Sequence, residues 1–213
     1  MFKFLSIGFA VIVLAGCSQF GELSQRPRQW QHWQEAQQQL VSWDMHARSV
    51  VILTGGIYYV GLNWRRDDSG MVLLIEAPFG QGVFRIESSS AIPPLHQLFL
   101  PDGQVYQNRS AAALLEQAIG WSIPISGLEF WIRGLPQPDT RYTKQFSPQG
   151  QLKSIRQDGW SISYLDYFDG EESIHLPRRL ELMREDITVK LVIENWQSVA
   201  KLPSPLLEFP DFN

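Results

Sequence analysis

Cysteine is almost absent from this chain, because Cys17 is the only one among 213 residues. One thiol cannot close a disulfide within the chain, and it cannot supply the clustered thiolates of a structural zinc site. Burial of apolar side chains must therefore hold the fold together. The position of Cys17 close to the N-terminus also indicates a use outside the folded core.

Charge is scarce as well, and it is not of the sign that nucleic acid needs. Charged residues make up 19% of the chain, hydrophobic residues 44%, and the formal net charge is -4. Phosphate binding requires a basic face, so the composition argues against a nucleic-acid partner. The length fits one domain with a substantial core, and eight tryptophans and twelve phenylalanines are available to fill it.

Motifs for catalysis or cofactor binding are also missing from the sequence. It contains no Gly-x-Ser-x-Gly elbow, no Gly-x-x-x-x-Gly-Lys phosphate loop and no pair of histidines at metal-ligand spacing. We therefore predict no catalytic residues, no metal site and no cofactor. The four histidines are scattered over different predicted elements and are interpreted as surface or hydrogen-bonded residues: His32, His46, His96 and His175.

The N-terminus has the pattern of a secretory signal. Lys3 precedes an apolar segment, Phe4 to Leu14, which is too short for a comfortable membrane span. Two small residues then precede Cys17, as in the signals of bacterial lipoproteins. We predict a signal peptide over residues 1–16 and acylation of Cys17. The alternative is an ordinary signal peptide with an incidental cysteine.

The residues after Cys17 indicate a tether and a destination. Residues 17–26 are polar and show no periodicity, which is typical of a short linker. Bacterial lipoproteins kept at the inner membrane commonly carry Asp after the acylated cysteine, and this chain carries Ser18 there. By this property of lipoproteins as a class, we expect the outer membrane, with the domain facing the periplasm.

The first half of the mature chain is predicted to be one helix followed by antiparallel strands. Trp30, Trp33 and Leu40 recur at helical spacing and predict an amphipathic helix from Arg28 to Leu40. From Trp43 the apolar period changes to two, which is typical of strands. Turn signals separate these strands at Gly55-Gly56, Asp67 to Gly70, Pro78-Phe79-Gly80 and Pro101-Asp102-Gly103.

Two short helices are predicted in the middle of the chain. Ser110 can cap the first, and Gly120 ends it. Ser126 and Glu129 have the spacing of a capping box, so we expect the second helix to begin there and to end at Gly134.

Strands then resume, and the total is about eleven. A sheet of that size tends to curl, and helices on one side would cover its apolar face and leave a natural ligand cavity. Residues 197–213 are rich in proline and are predicted to form a loose tail. The later strands are predicted at Tyr142–Phe146, Leu152–Gln157, Trp160–Tyr167, Arg179–Arg184 and Ile187–Trp196.

Several segments together resemble the LolB family of outer-membrane lipoprotein receptors. The resemblance runs from the Trp30 helix to Trp196, and the order and spacing of the segments carry it. The segments are Ile75–Gly80, Ile123-Pro-Ile125 followed by Leu128, Trp131–Pro136, Gly159-Trp160 with Tyr164 and Tyr167, and Leu176-Pro177.

The resemblance implies a mainly β fold, an incomplete barrel of eleven antiparallel strands closed by a helical lid over a hydrophobic cavity, here over residues 27–196. It implies a LolA-type periplasmic carrier as partner, acylated lipoproteins as cargo and outer-membrane lipid as the destination, without nucleotide. We expect a monomer. Two rivals remain, a lipid-anchored enzyme and a structural or signalling lipoprotein of similar fold that transfers nothing.

Two sets of site residues follow. Leu128 and Trp131 of the short helix are expected to face Val189, Leu191 and Ile193 of the last strand across bound acyl chains. An ordinary core filled by side chains is the alternative.

The second set is the turn Pro78, Phe79 and Gly80, which places a large aromatic ring at a hairpin tip. The ring either folds back onto the sheet or projects into the bilayer, and the resemblance favours projection.

Overall fold

A computed structural model describes residues 30–76, 82–91, 93–120, 122–169 and 176–201. Several predicted features lie outside the described residues: the signal peptide, Cys17 with its tether, the turn Pro78-Phe79-Gly80, His175 and the chain after Lys201.

The chain begins its described part with a helix and continues into an antiparallel meander of six strands. Helix α1 covers residues 30–38. The alternating burial along the strands explains why they form a sheet with one covered face. The strands are β1 Leu40–Leu53, β2 Gly56–Asp67, β3 Gly70–Glu76, β4 Val83–Ser89, β5 His96–Phe99 and β6 Val105–Asn108.

Two helices follow the meander, α2 Ala111–Ile119 and α3 Ile125–Trp131. Helix α2 has the predicted ends, because the Ser110 side chain accepts a hydrogen bond from the backbone N–H of Ala113 and Gly120 adopts a left-handed conformation with φ 80°. The prediction that a capping box begins α3 is wrong. Pro124 occupies the N-cap and no side chain caps the helix, so its first turn depends on the fixed φ of proline.

Five strands complete the sheet after the helices. They are β7 Tyr142–Phe146, β8 Leu152–Gln157, β9 Trp160–Tyr167, β10 Pro177–Arg184 and β11 Ile187–Lys201. The bounds of β7, β8 and β9 are those predicted. Strand β11 continues beyond its predicted end at Trp196, because β1 begins at Leu40 and pairs with it as far as Lys201.

All eleven strands belong to one sheet in the order β6-β5-β4-β3-β2-β1-β11-β10-β9-β8-β7. Every pairing is antiparallel, and β6 and β7 form the two edges. The prediction of an incomplete antiparallel barrel of eleven strands with helices on one side is therefore confirmed. The long pair β1 and β11, which joins the two ends of the domain, forms its centre.

The three helices and one face of the sheet enclose a single hydrophobic core. Side chains on that inner face include those of Trp43, Trp64, Ile86 and Ile162, each at most 1% exposed. Trp131 of α3 belongs to the same core. We call the sheet end with the turns at residues 54–55, 100–104, 158–159 and 185–186 the upper end; β3 ends and β4 begins at this end.

Candidate functional site

Strand β1 forms the centre of the inner face, and we call its inward-facing residues the floor. Its inward residues become smaller towards the middle of the strand, from Trp43 and Met45 to Ala47 and Ser49, before Val51 follows. All five are at most 4% exposed. Small side chains in the middle of a floor lined by large ones leave room above the sheet for atoms from elsewhere.

Strand β11 extends this floor with the three residues that the alternation predicted. Val189 pairs with Val51, Leu191 with Ser49, and Ile193 with Ala47. All three β11 residues are buried, at 4%, 2% and 0% exposure. Their side chains therefore lie on the inner face, next to the smallest residues of β1.

Helix α3 lies over the part of the inner face that β8 and β9 form. Leu128 is 5% exposed and Trp131 is fully buried, with its ring centroid 6.1 Å from that of Trp160. The Tyr164 hydroxyl donates to the Trp131 carbonyl at 3.0 Å. Burial raises the pKa of Tyr164, so the phenol keeps its proton and remains a donor.

A buried glutamine joins α3 and the following loop to the sheet. Gln157 Oε1 accepts from Trp131 Nε1 at 2.8 Å and from the Gln137 backbone N–H at 2.9 Å. Gln157 Nε2 donates to the Gln137 carbonyl at 2.8 Å and to Thr140 Oγ1 at 2.6 Å. We call Gln157 with these three partners the glutamine clasp. Its amide uses two donors and two acceptor sites, so the side chain is fully satisfied although it is 3% exposed.

A buried arginine joins α3 to α1 and β1 at the lower end. Arg133 Nε donates to the Glu129 carbonyl at 3.1 Å, and Nη1 reaches the carbonyls of Gln37 and Leu40 at 3.5 and 3.4 Å. Burial lowers the pKa of the guanidinium, Glu129 raises it and Arg66 lowers it. An arginine pKa starts so high that the group keeps its charge. It therefore holds the end of α1 as a cation beside helix C-terminal carbonyls.

The inner face of β2, β3 and β4 near the upper end is covered less completely. Leu62, Ile75 and Phe84 face inward there, as their pairing with Ala47 and with one another shows, yet each is only half-buried. We call these three residues the open side. Each of the three packs against the hydrophobic core and still retains exposure to solvent.

Exposed apolar side chains surround the upper end. Ile57 is 58% exposed and Tyr59 is 61% exposed on the β1–β2 hairpin, and Val83 is 45% exposed where β4 begins. Val105 and Met183, each 48% exposed, lie at the same end. We call these five residues the apolar rim. Exposed apolar residues that gather at one end of a domain can contact a membrane or a ligand.

Comparison with known proteins gives the chain its family. The family model described as outer membrane lipoprotein LolB matches residues 41–196, from the start of β1 to Trp196 in β11. The chain belongs to the LolB family. An outer-membrane lipoprotein LolB of Pseudomonas putida is 31% identical over 203 residues, which cover 92% of this chain and 97% of that protein. The one of Cellvibrio japonicus is 31% identical over 188 residues, or 86% and 91% of the two chains.

A solved structure supports the fold of this LolB-family chain. A LolA-superfamily protein from Nitrosomonas europaea superposes with a TM-score of 0.53, covering 82% of this chain and 94% of that one at 8% identity. At so low an identity the likeness concerns architecture alone. Among the described residues, no helix has the length and apolar character to span a membrane.

The predicted site residues of this LolB-family chain are brought together by the structure, but their role is not tested by it. Leu128, Trp131, Val189, Leu191 and Ile193 all belong to the one core. That acyl chains lie between them stays a prediction, as does the membrane role of the turn at Phe79, which lies outside the described residues. Within the described ranges, no three His, Cys, Asp or Glu side chains are grouped to hold a metal.

Three residues of this site were missed by the sequence analysis. Gln157 and Arg133 gave no usable signal, because polar residues are usually exposed and their partners lie far away in the chain. Ser49 did give one: it occupies an inward position of an alternating strand, between Ala47 and Val51.

Proposed function

We propose that this protein is an outer-membrane lipoprotein that receives lipoproteins from a LolA-type periplasmic carrier, shelters their acyl chains on its inner face and releases them into the outer membrane. The observation that carries the proposal is the open side, three half-buried apolar residues beside a buried apolar floor, in a chain of the LolB family. Acyl chains are the natural occupants of such a surface, because each buried methylene contributes about 0.8 kcal/mol.

The transfer needs no chemical step. A chain that moves between apolar sites breaks no covalent bond, and its direction follows from the relative affinities of successive sites. We therefore propose a non-enzymatic receptor that works as a monomer without nucleotide or other cofactor. Its partners are the carrier, the acylated cargo and outer-membrane lipid.

The acyl chains are proposed to enter at the open side and to reach the floor. Leu128 and Trp131 would then cover them from α3, while Val189, Leu191 and Ile193 support them from β11. Because these five residues are buried, we propose that arriving chains displace side chains of the open side rather than enter a preformed channel. Apolar contacts have no directional requirement, so this exchange conserves most of their free energy.

Two features are proposed to place the upper end at the membrane. Acylated Cys17 tethers the domain, and the turn Pro78-Phe79-Gly80 inserts its aromatic ring into the bilayer. The apolar rim supports this orientation, because Ile57 and Val83 are exposed at the same end of the sheet. One Phe contributes about 1.5–3 kcal/mol on burial, which can orient a tethered domain but cannot anchor it alone.

A two-stage assay tests the function. A carrier loaded with fluorescent diacylated lipopeptide is mixed with the protein, and transfer to the protein and then to liposomes is followed separately. The wild type should complete both stages. Phe79→Glu should accept cargo and fail to deliver it, because a charge at the point of release is costly in hydrocarbon, whereas Phe79→Leu should do both.

Three results would contradict parts of the proposal. A wild-type protein that takes no lipopeptide from the carrier would overturn the receptor function and favour a structural or signalling role. Normal delivery by Phe79→Glu would overturn the role of the turn alone. An uptake unaffected by Leu191→Ala and Leu128→Ala would exclude these residues from the cavity.

A further inference from the structure

A single hydroxyl group in the middle of the floor has no hydrogen-bond partner. Ser49 is 3% exposed, and its Oγ makes no hydrogen bond within the part of the chain that the structure describes. Buried hydroxyl groups are normally paired, so an unpaired one in a fold built on apolar packing requires a physical reason.

The surroundings of Ser49 cannot supply the missing partner. Its side chain lies on the inner face between Leu191 of β11 and Val60 of β2, with Ala47 and Val51 two residues away on either side of it in β1. None of these four side chains contains a polar atom. A valine or an alanine would fill the same position in the floor without leaving a donor unsatisfied.

The hydroxyl is nevertheless close to the open side. Val60, which pairs with Ser49, is half-buried, and Leu62 follows it on the same face of β2. Neighbouring strands lie about 4.8 Å apart, so incompletely covered space begins about one strand spacing from the Ser49 side chain. A ligand that displaces the open side therefore comes within about one strand spacing of this hydroxyl, the one inward-facing hydroxyl of β1.

We propose that Ser49 Oγ–H donates a hydrogen bond to an ester carbonyl of the bound acyl chains, and that Ser49 thereby sets how deeply the chains are inserted. This inference rests on the proposed lipoprotein-receptor function. An acyl ester carries carbonyl oxygens, which accept and cannot donate, at the boundary between its apolar chains and its polar head. A lone donor in an otherwise apolar site is the complementary group.

The test compares two lipopeptides that differ only in that carbonyl. One is a dipalmitoyl ester on the glyceryl group of a cysteine peptide, and the other is the matching dihexadecyl ether; both have a free terminal amine. Binding to the full-length protein is measured for the wild type, Ser49→Ala and Ser163→Ala. Ser163 is the control because it is a half-buried serine on the opposite face of the sheet, in β9.

The wild type and Ser163→Ala should bind the ester between about 2-fold and about 10-fold more tightly than the ether, the range for one neutral hydrogen bond. Ser49→Ala should bind both with the affinity that the wild type shows for the ether.

Removing the unpaired hydroxyl should also raise the Tm of the unliganded protein by about 2–4 °C, because a buried unsatisfied group is lost.

The outcomes separate this inference from the function on which it rests. If the wild type binds neither lipopeptide, the receptor function itself is wrong. If it binds both but Ser49→Ala keeps the preference for the ester, or the wild type has none, the receptor function stands and the role of Ser49 is overturned. A lower Tm for Ser49→Ala would show that the hydroxyl is already paired in the unliganded protein, which also overturns it.

Discussion

The two sides of the inner face are built on different principles. On the side of β8 and β9, Trp131 is held by directional bonds, from its ring nitrogen to Gln157 and from the Tyr164 hydroxyl to its carbonyl. On the open side, Leu62 and Phe84 have only apolar contacts to offer, and both are half-buried. The first side is specified by geometry, and the second is specified only by apolar character.

This difference suggests how one domain can be stable and still accept a large apolar ligand. Hydrogen bonds in a buried network are expensive to break, because each lost partner leaves an unsatisfied group. Apolar contacts can be exchanged for contacts with an acyl chain at little cost. We call the side of β8 and β9 the clasped side, because it contains the glutamine clasp. We therefore expect stability to depend most on the clasped side and ligand binding to depend most on the open side.

The strongest way to break the clasped side is to replace Gln157. Gln157→Leu should reduce the free energy of unfolding by about 4 kcal/mol, because Trp131 Nε1 and the backbone groups of Gln137 lose their buried partners. Urea unfolding measures the loss. Gln145→Leu, on the exposed strand β7, is the matched control and should change stability by less than about 0.5 kcal/mol. Equal losses of unfolding free energy in the two variants would show that the hydrogen bonds of the glutamine clasp do not stabilise the fold.

The arginine at the lower end should give the next largest effect. Arg133→Met keeps the length of the apolar stem but removes the hydrogen bonds to the Gln37 and Leu40 carbonyls. We expect a loss of about 3 kcal/mol, with faster amide exchange in α1, because the helix end is no longer held. Arg156→Met, at an exposed position of β8, is the control. An unchanged rate of amide exchange in α1 would show that Arg133 does not hold the end of this helix.

These two residues also mark the limit of what the sequence could predict. Strands β7, β8 and β9 were predicted with their observed bounds, because Asp158-Gly159 and Pro148-Gln149-Gly150 are strong local turn signals. The partners of Gln157 and Arg133 are set by the tertiary fold instead. Gln37 and Arg133 are 96 residues apart, and local pattern contains no information about such a contact.

The helix α3 shows the same limit at a shorter range. Ser126 and Glu129 have the spacing of a capping box, but the helix begins earlier, with Pro124 at its N-cap. The Leu128 N–H bonds to the Pro124 carbonyl at 2.8 Å. Proline fixes its own φ, and burial of Ile125 and Leu128 against the core decides where the turn begins. Packing therefore outweighed the capping signal.

A pair of leucine truncations sharpens the comparison between the two sides. Leu191 is 2% exposed and Leu62 is half-buried, and both lie on the inner face. Leu191→Ala should lower stability by about 3 kcal/mol and Leu62→Ala by about 1 kcal/mol, because the cavity left by a fully buried leucine is larger. Relative to the stability that each substitution costs, Leu62→Ala should nevertheless weaken lipopeptide binding more than Leu191→Ala does. The opposite ratio would place the ligand away from the open side.

The smallest effect is expected at the edge strand β7, where a cation rather than a hydrogen bond holds a helix. Lys144 Nζ lies 3.2 Å from the centroid of the Trp30 ring, with the Phe146 ring 5.8 Å away, so the ammonium joins α1 to the edge strand β7. An exposed cation–π contact of this kind contributes about 0.5–1 kcal/mol.

Lys144→Met preserves the apolar stem and removes only the charge, so amide exchange at residues 31–38 should accelerate by about 2–5-fold while global unfolding changes little. Lys144→Arg should restore protection, because a guanidinium also stacks on indole. Lys153→Met, at an exposed position of β8, controls for the loss of a positive charge. Equal acceleration in Lys153→Met would mean that net charge, and not the contact with Trp30, sets the exchange rate of α1.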